Sequence, residues 1–179
     1  MSTLQVQTLQ GPTSGADSNT VRVADGHNLH AKGHVIQMLF HEWEDSQSFN
    51  SDSAWGSVTD SSVVITPKFS GSKIFVECNI DLRCQATQNQ AGGSVQIVES
   101  GGSSLQPVTD TYETYSSVTN GTSTDYRVRH AKKNECQTSV VAGTAKTFLC
   151  QVKSQNTNVT VTANSGGFYS TMTVWEIAQ

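Results

Sequence analysis

The residue types that carry chemistry in this chain are histidines, carboxylates and cysteines, and their spacing decides what each can do. His27, His30 and His34 stand three and four residues apart, which would cluster them on a helix. Asp25-Gly26 and Gly33 make a helix poor there, and on an extended chain positions 27 and 30 face opposite ways. No metal site is expected within one chain; in a threefold assembly, one histidine per chain is the arrangement that would bring imidazoles together on the axis. The carboxylates Glu42, Glu44 and Asp45 precede a loop, with Asp52 and Asp60 after it. Glycoside hydrolysis needs two carboxyl groups about 5 to 10 Å apart across a cleft, a condition that sequence adjacency does not supply. A solvated acidic loop is the reading for these residues. Gly-x-Ser-x-Gly, a phosphate-cradling glycine loop and His-Glu-x-x-His are all absent from the sequence. No catalytic residues, no metal, no cofactor and no enzymatic activity are expected.

Cys78, Cys84, Cys136 and Cys150 form no Cys-x-x-Cys pair, which leaves zinc and dithiol redox motifs without support. Cys78 and Cys84 share the parity of the apolar residues around them, so buried free thiols acting as small hydrophobes are expected. The formal net charge is −4 and the pI about 5.6. A single basic run, Arg127, Arg129, Lys132 and Lys133, reads as a solvated hairpin loop. Nucleic acid is excluded as a partner, because phosphate neutralisation needs a larger basic surface. No run of eighteen apolar residues occurs, so no membrane insertion is expected, and without a cationic-then-apolar leader the protein is expected to remain in the cytoplasm where it is made. The Asn-x-Thr sequons at Asn120 and Asn158 then reflect a composition rich in Asn and Thr.

The elements that must position these residues are strands. About a quarter of the residues are Ser or Thr, glycine is common and proline scarce, which favours short strands and tight turns. Residues 1–33 form a thin extended arm: Leu4, Val6 and Leu9, then Val21 and Val23, are separated by the turn-rich 11–16 segment. Such an arm cannot bury a core alone; it reads as either a disordered tail or a strand-like element that orders by packing on a partner chain. From residue 34 strand signals are dense. His34–Trp43 is a strand with Ile36, Met38 and Phe40 on one face; Ser62–Pro67 is a short strand closed by proline. Lys73–Cys84 is the clearest, with Ile74, Val76, Cys78, Ile80, Leu82 and Cys84 alternating with polar residues and Phe75. Ala91-Gly92-Gly93 signals a turn before a strand at Ser94–Glu99. Further strands are expected at Thr124–Arg129, Cys136–Val141, Lys146–Lys153, Asn158–Thr162 and Phe168–Ile177, with Gly143 and residues 164–167 as turns.

About eight strands without helices predict an all-β fold, an antiparallel β-sandwich of jelly-roll type occupying residues 34–179 behind the arm. The polar stretch from Gly101 to Gly121 reads as a surface excursion carrying Tyr112 and Tyr115, which are the candidate receptor-binding residues because aromatic rings stack on sugars and anchor protein contacts. Trp55 is expected to cover the core edge and Tyr126 to lie on a strand face.

Four separated segments carry a resemblance. Leu9-Gln10-Gly11-Pro12-Thr13-Ser14-Gly15-Ala16 running on to Asn19-Thr20-Val21-Arg22-Val23, Gly33-His34-Val35-Ile36-Gln37, Val64-Ile65-Thr66-Pro67 followed by Ser72-Lys73-Ile74, and Thr173-Val174-Trp175-Glu176-Ile177 resemble recurrent segments of tail-fibre and appendage proteins of marine and cyanobacterial tailed phages. The stretch from about 85 to 160 carries little of the match. The resemblance implies a virion protein assembled in the host cytoplasm, a homotrimer, attached through its N-terminal part to other virion proteins of tail or capsid. It implies too a β-sandwich exposed to a host-surface glycan or protein. Family members are often longer than this chain, which opens the alternative of a capsid decoration or cement subunit, a head fibre. A glycan-degrading enzyme on a sandwich scaffold is the competing reading from another class.

Overall fold

The computed structural model describes residues 31–86, 90–101, 105, 114–117, 124–137 and 140–179, with the backbone alone at 90–91, 114–117, 124 and 126–137. All regular structure among them is β: β1 (Val35–Trp43), β2 (Gln47–Phe49), β3 (Gly56–Ser57), β4 (Val63–Ile65), β5 (Lys73–Ala86), β6 (Gln90–Glu99), β7 (Thr114–Ser117), β8 (Thr124–Gln137), β9 (Lys146–Ser154), β10 (Val159–Ala163) and β11 (Ser170–Ile177). Two sheets form. In sheet A, β5 is flanked along its length by β8 on one side, and on the other by β11 and then β10, which are paired in turn with β1 and β2. In sheet B, β9 lies between β6 and the pair β3 and β4, with β7 outside β6. Every pairing is antiparallel.

Three pairs of these elements are single strands interrupted: β1/β2, β3/β4 and β10/β11 each run along one side of the same neighbour. Counting each once, sheet A reads first, eighth, third, sixth and sheet B reads second, seventh, fourth, fifth. Successive strands cross between the sheets except the fourth and fifth, which is the connectivity of a jelly roll. The expected antiparallel sandwich is therefore the fold.

The core follows from period-two alternation. Ile74, Val76, Cys78, Ile80, Leu82 and Cys84 of β5 point inward and meet Phe148, Cys150 and Val152 of β9, all fully buried. Each such aliphatic side chain contributes roughly 1.5–3 kcal/mol by leaving water. The two sheets approach closely at Gly93. A Cβ placed there would stand 2.8 Å from Val161 Cγ2 and 3.1 Å from Cγ1. Gly92-Gly93, expected as a turn, thus lies inside β6, and glycine is needed at 93 for close approach of the facing sheet and not for bending. Gly93→Ala is expected to cost about 1–3 kcal/mol of stability through overpacking. Val161→Ala placed in the same chain should cancel part of that loss. Urea unfolding of the two single variants and the double variant measures the coupling; additive losses would mean the sheets yield at this point.

Several expectations are corrected. The basic run Arg127 to Lys133, expected in a hairpin loop, sits within β8, one continuous strand from Thr124 to Gln137 replacing the two strands expected there. Strand β8 is held by pairing with β5 from Ile74 to Ala86, so its own polar pattern does not disclose it. Part of the Gly101–Gly121 excursion is β7, an outer strand of sheet B. In β1, Met38 and Phe40 do share one face, and it is turned to solvent, while Leu39 packs on the core and Trp43 is buried. A register shift between Val35 and Gln37 sets that phase.

Candidate functional site

Two neighbouring features occupy the end of the sandwich where the chain enters from residue 31. The entry itself is pinned by Gly33 N–H to Ala178 O at 2.8 Å and by Ala178 N–H to His34 O at 2.9 Å. Beside it lies Glu176. In β11 it continues the inward row of Met172 and Val174, so strand parity drives a carboxylate into the mouth of the core, where it is fully buried. The loop between β4 and β5 folds over it. Oε1 accepts from Lys68 N at 3.0 Å, Phe69 N at 3.0 Å and Ser72 Oγ at 2.7 Å. Oε2 accepts from Lys68 N at 2.9 Å and Gln37 Nε2 at 2.7 Å, and the same Gln37 amide donates to Thr66 O at 2.8 Å. Burial by itself would push this carboxyl up, but the Lys68 N–H, the Ser72 hydroxyl, the Phe69 N–H and the Gln37 amide outweigh it and hold it below the ordinary glutamate value. A carboxylate so saturated with donors is a structural anion with no free lone pair aimed at solvent chemistry. It ties β1, β11 and the β4–β5 loop together.

The second feature is the outer face of sheet A. Register places Met38, Trp175 and Phe75 side by side across β1, β11 and β5, with Phe40 and Thr173 in the next row and Val35 and Ile177 in the row before. The Phe75 and Trp175 rings stand 5.4 Å apart at 45°, a tilted contact of the kind aromatic pairs favour. Beyond them Met38 is 57% exposed, Phe40 61% and Val35 44%. Charge divides along the strands. On the β1 side, exposed Lys32 and Lys68, with Lys73, lie at the Val35 end, and exposed Glu42, Glu44 and Asp45 at the Trp43 end; on β5, Glu77 stands in the Phe40–Thr173 row and Arg83, paired with Asp125, lies further along. There the Tyr169 hydroxyl donates to Glu44, and that hydrogen bond and the charges of Glu44 and Glu42 raise its pKa. The described outer face of sheet B is different: beside one exposed large hydrophobic, Val64, it carries a polar ladder in which Gln96 donates to Gln151 at 2.7 Å and Gln151 to Ser57 at 3.2 Å.

No family model and no curated protein matches the chain. Among solved structures it is similar to dimeric latent PorU from Porphyromonas gingivalis, at 11% identity over 90% of this chain and 15% of that one, with a TM-score of 0.34. It is similar also to the infectious bursal disease virus Gx strain structure, at 11% identity over 95% of this chain and 42% of that one, TM-score 0.32. The Gt strain structure of the same virus gives 13% identity over 95% and 43%, TM-score 0.22. The chain thus spans less than half the length of each of these, and likeness at such scores carries no functional argument.

Of the residues singled out from sequence, Leu4, Val6, Leu9, Val21, Val23, His27, His30 and Tyr112 lie outside the described residues, and Tyr115 is described only as backbone in β7. Among the described residues no group of three or more His, Cys, Asp or Glu could hold a metal ion. Cys78, Cys84 and Cys150 are free and buried, as expected; the Cys136 side chain lies outside the description. A hydrogen bond with Cys78 and then burial push the Cys150 thiol well up, so it stays protonated. Trp55 is half-buried with the Lys153 ammonium 5.2 Å from its ring centre. What sequence reasoning missed is the role of Glu176 and the outward apolar row. The inward place of Glu176 was encoded in parity, since it falls two residues after the inward Val174.

Proposed function

We propose that the chain is a non-catalytic structural subunit of a tailed-phage virion, a homotrimeric fibre or appendage protein anchored by residues 1–33 and presenting its sandwich for attachment to the host surface. The observation that carries this reading is the convergence of the resembling segments. Gln37, Thr66, Ser72 and Glu176 come from three segments far apart in sequence, and the fold gathers them into one hydrogen-bonded cluster beside the point where the arm enters. Segments that resemble a family by chance have no reason to meet on one carboxylate. Jelly rolls serve viral capsid and lectin domains, so the fold is compatible with this role without selecting it.

Antibody raised against the purified chain and bound to intact particles, viewed by electron microscopy, tests the reading. Label at the tail or its fibres is the expected result. Label spread over the capsid would replace host attachment with decoration or cementing of the shell, and particles without label would overturn the virion reading. Hydrolysis of a host polysaccharide by the purified chain, lost on Glu42→Gln or Asp45→Asn, would overturn the non-catalytic assignment.

A further inference from the structure

We infer that the outer face of sheet A is where copies of this chain join, the acidic end of one face set against the basic end of the next. Along this face lie an apolar middle, Val35, Met38 and Phe40 with Trp175, Ile177 and Phe75, a basic end and an acidic end. Eight strand steps at about 3.3 Å separate Val35 from Trp43, so the two charged ends stand roughly 26 Å apart. Among the described residues β1 is the outermost strand on that side of sheet A. Its sequence VIQMLFHEW holds no Lys and no Pro, residues that commonly blunt an exposed edge against pairing.

The choice of occupant rests on charge. The β1 side of this face, with one sign at each end, is complementary to itself when the second copy is turned end for end or follows head to tail around a ring. A second copy therefore supplies both the apolar cover and the opposite charges, whereas an unrelated partner would need to match the apolar row and two opposite poles together. Among the described strand residues of sheet B one large hydrophobic, Val64, is exposed, against Val35, Met38 and Phe40 on β1 alone. Aromatic and methionine side chains at the centre with charges at the rim is also how protein interfaces are commonly built.

The inference deepens the homotrimer of the proposed function and rests on it, but not on the place of the chain in a virion: sedimentation of the purified chain reads association, whereas particle labelling reads location, so the two failures are distinguishable. Sedimentation of the full chain at micromolar concentration should give a multiple of 19.2 kDa. Phe40→Ser with Met38→Ser should drop the mass to one chain while leaving the thermal midpoint near that of separated wild-type chains. Glu42→Lys with Glu44→Lys should also give single chains, as should Lys32→Glu with Lys73→Glu. Combining all four reversals in one chain exchanges the poles and should restore the wild-type mass, a recovery that damaged folding would not produce. A wild-type chain that sediments alone, because its own residues cover the face or because nothing does, overturns the inference. So do charge reversals that leave the mass unchanged, or a fourfold variant that stays monomeric.

Discussion

Glu176→Gln is expected to lower the unfolding free energy by about 3 kcal/mol near neutral pH, read by urea denaturation at one fixed protein concentration. The estimate follows from what an amide does in this cluster. Both carboxylate oxygens accept, from Lys68 N and Phe69 N on the backbone and from Ser72 and Gln37 side chains. A glutamine puts an NH2 group where one oxygen was, so whichever way it turns, a fixed backbone N–H faces another donor. Gln37 cannot repair this by flipping, because its own amide nitrogen also serves Thr66 O. Hydrogen bonds to a charged acceptor are worth about 1.5–3 kcal/mol each, and a buried donor left unpaired costs about 1–3 kcal/mol. The pH dependence has a fixed sign. The folded carboxyl sits below its unfolded value, so its contribution is complete above the unfolded pKa, near 4.3, and is lost as pH falls through the folded one. The gap between wild type and Glu176→Gln should therefore narrow in acid below that range. A gap that stays constant down to acid unfolding would mean that the Glu176 carboxyl titrates alike in the folded and unfolded chain, so that the cluster does not favour its charge.

How much of this was legible depended on which force writes each signal. Where a strand buries one face, the alternation is in the sequence: β5 was expected at Lys73–Cys84 and runs Lys73–Ala86, and β4 falls inside the expected Ser62–Pro67. Turns that need a left-handed backbone were also legible, since Asn164, Gly166 and Gly167 all have positive φ. Elements whose reason lies in a neighbour were not. Strand β8 exists because β5 offers a long edge, and Gly93 of β6 is there for Val161 on the facing sheet. The phase of β1 is set by a register shift against β11, so which of its apolar rows faces water could not be read from the row itself. Glu176 shows the same limit at the site. Its parity said inward and its charge said outward, and the conflict is resolved only by the distant 66–72 loop that closes over it.

Asn164→Ala is expected to cost about 3 kcal/mol, nearly as much as the loss of Glu176, and to act at the opposite end of β11. Sheet A is interrupted along one line: β1 gives way to β2 at 44–46, β10 to β11 at 164–169, and the pairing of β5 with β8 shifts between Ile80 and Leu82. Fully buried Asn164 bridges that line. Its Nδ2 donates to Trp43 O and Asp45 O, both at 3.3 Å, its Oδ1 accepts from the Ser170 hydroxyl, and its own N–H donates to Asp81 O at 2.9 Å. Ser170 Oγ in turn accepts from Asp81 N at 3.1 Å. Alanine removes the bridging side chain, leaving the carbonyls and a buried hydroxyl short of partners. It must also hold a φ of 52°, which costs an ordinary residue about 1–2 kcal/mol. Asn164→Gly separates the two costs, because glycine adopts that backbone freely: its loss, expected near 2 kcal/mol, reports the hydrogen bonds alone. A glycine variant as stable as wild type would show that the bridge contributes nothing. The same residue fixes the Trp43 end of β1, where Glu42, Glu44 and Asp45 make the acidic end of the outer face. Loosening Asn164 should therefore weaken association of copies as well, by letting that end shift against Tyr169 while the basic end, held by Glu176, stays in place.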